Sequence, residues 1–446
     1  MQIRIFLLIY SCAWFVLLPF ILIYLLWRSN YDPLYRKFIL QRFGKYNFAL
    51  PQNPIWVHAV SIGEFRSALE LIRGLLAGGD TVLLTVFTPA ARRDAEKQFS
   101  EEIDNGELTV IWVPFDMKWC HQKLIRKCKP KICLPLEIEI WPNMIWVMKQ
   151  CKVPLYLCNA QYAKRSMERD NRGLKIRQKI IALCDGAFVK SDNHKSRFAQ
   201  IGLKNIVVTG ELRFDQNIPV SLTRAAVELR NNITPTMRTI ITIASGTEIE
   251  EPIYAQMILQ MKKKAQINKV STPLFIYVPR APERFDQVGI DLQKVGLNIR
   301  KRSILFDEGL VGLSEQKFHL SENIDVLLGD SLGEMYFYLS SADKVVVGGG
   351  FSRHGAHNII EALAVGKPVF VGPYTWVIEF PFVEASNDMI AKSFATLDDM
   401  INELSHGHDI PKEKISQFIK KHRGASERTI QAVYDVIGSG PIKKHQ

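Results

Sequence analysis

Residues 344–375 read KVVVGGGFSRHGAHNIIEALAVGKPVFVGPYT. A β-branched run, Val345-Val346-Val347, enters three glycines, Gly348, Gly349 and Gly350. A second small-residue loop, His354-Gly355-Ala356-His357-Asn358, leads into a helix, and the turn Gly366-Lys367-Pro368 opens another apolar strand that stops at Gly372-Pro373. Strand, glycine loop, helix and strand in that order predict a parallel α/β sheet. Backbone amides at a helix start favour an anion. Glu361, three residues after Asn358 on the first turn, has the reach to accept hydrogens from two sugar hydroxyls. The G-x-G-x-x-G spacing of a dinucleotide loop is absent, and so is a Walker loop. A nucleotide-sugar site fits this stretch better than a redox cofactor.

The same alternation extends in both directions. Apolar runs at 239–244, 274–278, 324–328, 344–347 and 368–371 form one β/α series, and runs at 55–60, 81–87, 132–136, 153–157 and 186–189 form an earlier one. Amphipathic stretches at 64–76 and 90–99 lie between the earlier strands. The polar stretch 216–237, with Pro219 and Pro235, reads as a linker with a helix inside it. The chain therefore divides into an anchor (1–30), a Rossmann-like domain (31–215), the linker (216–237), a second Rossmann-like domain (238–425), and a C-terminal helix and tail (426–446) ending in a basic, poorly ordered PIKKHQ. Two α/β domains of similar size predict a cleft, with ligands outside the carboxyl ends of the strands.

Other candidate residues fall just after strands. In HAVSIGEFR (58–66) a turn, Ser61-Ile62-Gly63, precedes Glu64 at a helix start. A carboxylate there either takes a proton from an attacking hydroxyl or caps the helix. In LPLEIEIWPN (134–143) Glu137 and Glu139 alternate and share one strand face, where they bind a polar acceptor or pair with basic residues. Arg280, in FIYVPRAPERF (275–285), suits a phosphate or carboxylate, or a surface ion pair. The glycine loop GDSLGEM (329–335) shapes the same cleft.

Residues 5–27, IFLLIYSCAWFVLLPFILIYLLW, carry no charge and are long enough to cross a hydrocarbon core about 30 Å thick. The run is too long for a signal h-region, and no A-x-A-like site follows it. Arg4 alone precedes the run, whereas Arg28, Arg36, Lys37, Arg42 and Lys45 follow it, which predicts a cytoplasmic body with these cations near anionic lipid headgroups. The formal net charge of +12 favours anionic partners. Nucleic acid is disfavoured, because no recognition module appears and the charge is dispersed. The seven cysteines have neither C-x-x-C nor zinc-ligand spacing and read as thiols in a reducing compartment.

HAVSIGE, EIEIWPN, CNAQYAKRS, TGELRFD, VPRAPERF, GDSLGEM and the 344–375 stretch resemble, in that order, the 3-deoxy-D-manno-octulosonic acid (Kdo) transferases of lipid A assembly. The resemblance runs from about residue 34 to near the C-terminus. It implies a GT-B glycosyltransferase fold, a CMP-Kdo donor, a lipid A precursor as acceptor, and inverting transfer with no metal or other cofactor. By matching position, Glu64 is implied as the general base, and Arg280, Asn358 and Glu361 as CMP ligands, with Ser245, Gly246, Gly349 and Gly350 beside them. Ser61, Gly63, Glu137 and Glu139 are left as acceptor-site or structural candidates. It also implies a single-pass inner-membrane protein. The chain departs from the family's pattern at Thr247 and Ala281, where histidines are usual, at Gln161, where arginine is usual, and at Gly355-Ala356-His357-Asn358 and Gly210-Glu211-Leu212-Arg213. Two alternatives stand beside this reading: a UDP-sugar-dependent transferase acting on a lipid carrier, and, motivated by the missing histidines, a catalytically silent glycolipid-binding paralogue.

Overall fold

Short apolar runs between amphipathic helices become strands buried on both faces, and that burial selects a parallel sheet. A computed structural model of the chain describes residues 2–231, 233, 238–306, 310, 320–406 and 410–438. The expected tail PIKKHQ and linker residues 232 and 234–237 lie outside the described residues. The chain forms two compact units, one comprising residues up to Gln216 together with those from His422 onward, the other Asn217–Lys421.

In the first unit the strands are β1 (Ile55–Ala59), β2 (Val82–Val86), β3 (Leu108–Trp112), β4 (Ile132–Pro135), β5 (Tyr156–Ala160), β6 (Gly186–Val189) and β7 (Ile206–Val208). They pair in parallel as β3-β2-β1-β4 and as β5-β6-β7. Bridges Cys133–Leu155 and Leu136–Cys158 join the two groups. The order 3-2-1-4-5-6-7 reverses direction between β1 and β4, the switch point of a doubly wound sheet. The C-terminal helix Ala425–Ile437 packs on the helix Leu69–Ala77, and Tyr434 Oη donates to Asp80 Oδ2 at 2.9 Å. Asp215 fixes its start by accepting from Gly424 N and Ser426 N, each at 2.6 Å.

In the second unit β8 (Ile240–Gly246), β9 (Leu274–Pro279), β10 (Ile299–Lys301), β11 (Val326–Leu328), β12 (Lys344–Val347), β13 (Val369–Val371) and β14 (Ala391–Ser393) form one parallel sheet in the order β10-β11-β9-β8-β12-β13-β14. Here the switch point lies between β8 and β12. The helix expected in the linker, Val220–Asn231, belongs to this unit's core. It buries Leu222, Ala225, Ala226 and Leu229 in a cluster with Phe337 and Tyr338. The i, i+3, i+4, i+7 spacing of those four residues makes one helix face.

The helix Gln2–Arg28 is long and apolar enough to cross a membrane. All seven cysteines are free. One expectation is corrected. Arg42 does not reach lipid headgroups, because it is buried with its guanidinium over Trp112, Phe87 and Phe115 at 4.6, 5.0 and 5.9 Å from the ring centroids.

Candidate active site

Strands β1 and β4 deliver their carboxyl ends to the switch point of the first unit, and the HAVSIGE and EIEIWPN motifs begin there. After β1, Ser61 caps the helix Ile62–Ser67 by accepting from Glu64 N at 3.3 Å. Glu64 answers with Oε2, which accepts from Val60 N at 2.6 Å and Ser61 N at 3.4 Å. This reciprocal capping box locks the carboxylate's orientation with one oxygen. The other oxygen, Oε1, has no partner among the described residues. Burial first, then the neighbouring Glu139 and Glu137 carboxylates, push the Glu64 carboxyl up from 4.5 to about 7, against the opposing pull of the Val60 and Ser61 amides. Cap and base are therefore compatible roles for this side chain. Gly63 is exposed, and a Cβ built there meets only Ser61 Oγ, at 3.8 Å. Neither tight packing nor a positive φ accounts for glycine at this position.

Glu137 and Glu139 do not share a strand face. β4 ends at Pro135, and Glu137 takes a left-handed φ of 56°, which turns the chain and ends the two-residue alternation. Glu139 accepts from Trp141 Nε1 at 3.0 Å, and burial raises its pKa. Glu137 faces Arg213 Nη2 at 3.4 Å and Lys190 Nζ at 3.7 Å. Beneath it Glu211 is buried, with Lys190 Nζ at 2.6 Å and Asn159 Nδ2 at 2.9 Å. Burial alone would raise the Glu211 carboxyl, but Lys190, Arg213 and Asn159 outweigh it and hold it down at about 2. The CNAQ and TGELRFD motifs thus build a charged floor beside Glu137. Lys190 was not singled out from the sequence, and Glu211 was noted only as a departure from the family's pattern, because their relation appears only when β6 lies beside β7.

The second unit repeats the logic at β8 and β12. Ser245 has a φ of 59°, and Arg280 N, just past β9, donates to Gly246 O at 2.9 Å. A Cβ at Gly348 would sit 2.2 Å from Ser245 O, and one at Gly350 would sit 2.4 Å from Gly372 N. The glycines therefore let three loops meet backbone to backbone. Glu250, fully buried, clamps them: it accepts from Gly349 N at 2.6 Å, Phe351 N at 2.9 Å, Thr247 Oγ1 at 2.7 Å and Tyr254 Oη at 3.1 Å. Its signal in the sequence was the capping spacing Thr247-x-x-Glu250.

Around this clamp, Arg280 is an exposed residue whose guanidinium has no hydrogen-bonding or ionic partner among the described residues, and partial burial of that group lowers its pKa. Burial and the nearby Arg280 charge bring His357 down to about 4, so its ring is neutral, and its Nε2 is buried without a partner among the described residues. Asn358 Oδ1 accepts from Ile360 N at 3.0 Å, and Glu361 lies in the first turn of the helix Ile360–Ala364. That helix has five residues, too few for a large macrodipole. Of the short helix and the Arg280 charge, the charge is the stronger attraction for any anion. The GDSLGEM loop is pinned at Glu334, which Ser331 and Arg302 both hold at 2.5 Å, while its tip, Leu332 and Gly333, is exposed.

A family model described as 3-deoxy-D-manno-octulosonic-acid transferase matches residues 37–216. A 3-deoxy-D-manno-octulosonic acid transferase from Bordetella pertussis is 34% identical over 413 residues, covering 89% of this chain and 91% of the relative. The chain belongs to the Kdo transferase family. A second member, from Haemophilus influenzae, is 28% identical over 374 residues, covering 82% of each chain. A glycosyltransferase structure from Rickettsia africae, 12% identical, covers 89% of this chain and all of that one with a TM-score of 0.54, a likeness of fold. The fold is that of a GT-B glycosyltransferase with an apolar N-terminal helix. Within this Kdo transferase the motifs gather into two groups: Ser61, Gly63, Glu64, Glu137 and Glu139 in the first unit, and Ser245, Gly246, Arg280, Gly349, Gly350, Asn358 and Glu361 in the second.

Proposed function

We propose that this chain transfers Kdo from CMP-Kdo to a lipid A precursor, lipid IVA, with inversion at the anomeric carbon, in lipopolysaccharide assembly. The observation that carries the reading is Glu64, with one oxygen held by the capping box, the other without a partner among the described residues, and a carboxyl near pH 7. A base with a pKa close to the working pH is the most effective proton acceptor. In the reaction the acceptor hydroxyl oxygen bonds to the anomeric carbon of Kdo as the carbon–oxygen bond to CMP breaks. The hydroxyl proton passes to Glu64, and the electron pair of the broken bond leaves with the CMP phosphate. Charge builds on that phosphate, and Arg280 is the cation assigned to meet it. Glu361 is assigned to the ribose hydroxyls, with Asn358 and the Ser245-Gly246 loop beside it. As the family resemblance implies, the step uses no metal.

Thr247 and Ala281, standing where the family usually has histidines, motivate a catalytically silent glycolipid-binding paralogue, and the nearest enzymatic rival is a transferase of a different nucleotide sugar, linked to UDP, on a lipid carrier. Incubating the purified full chain with a tetraacyl lipid A precursor and either CMP-Kdo or UDP-sugars separates the two transferase readings. Product from CMP-Kdo alone supports the first reading, and product from a UDP-sugar alone replaces it. The helix Gln2–Arg28 is assigned to hold the body at the cytoplasmic side of the inner membrane, and its length and composition permit a single crossing.

A further inference from the structure

The helix Gln2–Arg28 is apolar all round, and such a helix needs protein or lipid on every side. Protein covers one stripe only. Leu7, Ser11, Trp14, Leu18, Ile21 and Leu25 are buried or half-buried, and their alternating spacing of four and three residues marks a single face. That face is docked on the first unit from end to end. Lys179 Nζ donates to Gln2 Oε1 at 2.5 Å, Ser11 Oγ donates to Asn143 Oδ1 at 3.2 Å, and the Trp14 and Phe115 rings lie 5.8 Å apart. Leu25 is buried with Phe115, Met117 and Cys120, and Arg28 Nη2 donates to Tyr35 Oη at 3.0 Å. The other faces are bare, with Ile9 63%, Val16 67% and Ile23 64% exposed.

A helix of this length runs about 40 Å. If it crossed the bilayer upright and kept this docking, Lys179 would be carried with Gln2 to the far end of the crossing, and the Asn143 and Asp116 side chains behind Ser11 would lie within the hydrocarbon, where polar and ionisable groups are costly. We infer that the helix lies in the plane of the membrane, with the first unit in place of a polar face and its bare apolar side sunk into the cytoplasmic leaflet. The occupant of that bare side is bilayer lipid. The apolar surface continues past the helix to exposed Tyr31, whose ring lies 5.4 Å from that of Trp27, and in the groove that follows Arg36 and Lys37 suit anionic headgroups while Arg93 is paired with Asp32. The lie also bears on the reaction. Asn143, which receives the helix, starts the helix Pro142–Cys151 four residues after Glu139, so the anchor sets the acceptor motif against the lipid surface.

This inference rests on the proposed membrane anchoring, and one experiment distinguishes the two. Ile9→Cys, Val16→Cys and Ile23→Cys, made singly with exposed Cys12 and Cys151 replaced, lie seven residues apart on one bare face. Each full-length variant is nitroxide-labelled and reconstituted in vesicles of phosphatidylethanolamine and phosphatidylglycerol, and depth is read from accessibility to oxygen against a water-soluble nickel chelate. An in-plane helix places all three labels at one shallow depth, about 5–10 Å below the headgroups. A crossing helix separates neighbouring labels by about 10 Å along the normal, and that profile overturns the in-plane lie while leaving the anchoring intact. Three labels open to the nickel chelate and closed to oxygen overturn both.

Discussion

Replacing Glu64 with glutamine separates a base from a cap, because the two roles move stability and turnover in opposite directions. Glutamine keeps the size of the side chain and an oxygen for the amides of Val60 and Ser61, so the capping box survives. What it loses is the charge. A carboxyl held at about 7 in the fold, against an ordinary 4.5, opposes folding once ionised. The stability that Glu64 contributes is fully present below pH 4.5 and is lost as pH rises through about 7. That shift corresponds to about 3 kcal/mol at alkaline pH, which solvent at the free oxygen trims to roughly 1–3 kcal/mol. Glu64→Gln should therefore melt on the order of 5 °C above the parent at pH 8 and level with it at pH 4. Its turnover should fall at least about a hundredfold, with CMP binding unchanged. The parent's turnover should rise with pH through about 7 and then level off. Thermal melts from pH 4 to 9 beside initial rates with CMP-Kdo supply both readings. A variant that melts lower and turns over normally would refute the reasoning and make Glu64 a cap alone.

Arg280→Ala removes a cation with no partner among the described residues, so melting should hold while CMP affinity drops by about 1.5–3 kcal/mol; Glu361→Ala should weaken CMP by a similar amount, and unchanged affinity in calorimetry for both would remove them from the donor site. Gly63→Ala meets open space and should fold normally, so lost activity in a stable variant would place the acceptor beside it, whereas Gly348→Ala drives a Cβ to 2.2 Å from Ser245 O and should lower the melting temperature outright. Turnover should persist in EDTA, and strict loss restored by one added divalent metal would count against a metal-free transfer.

The alternation of buried runs was legible because strands covered on both faces have little choice of residue. Strand β3, Leu108–Trp112, was missed, and so were the short strands β7, β10 and β14, since three residues such as Ile299–Lys301 carry no period. β5 was placed at 153–157 and lies at Tyr156–Ala160, where bonds to Glu211 and Leu212 satisfy the buried Asn159 side chain. The helix expected at 64–76 breaks at Ala68 into Ile62–Ser67 and Leu69–Ala77, a backbone choice that apolar spacing does not record. The return of Ala425–Ile437 to the first unit depends on Asp215, some two hundred residues earlier, and no local pattern carries that. Of the site, Glu64 was visible as an acid after a strand. Its raised pKa was not, because it comes first from burial in the folded chain and then from Glu139 and Glu137 arriving past another strand's end.

The central claim is transfer of Kdo to a glycolipid, and the mass of the lipid product tests it most directly. The purified full chain, given CMP-Kdo and a tetraacyl lipid A precursor in mixed micelles, should release CMP and yield a lipid heavier by one or more Kdo residues, with Glu64→Gln yielding almost none. An unmodified lipid, from a folded parent chain that binds CMP, would contradict the account.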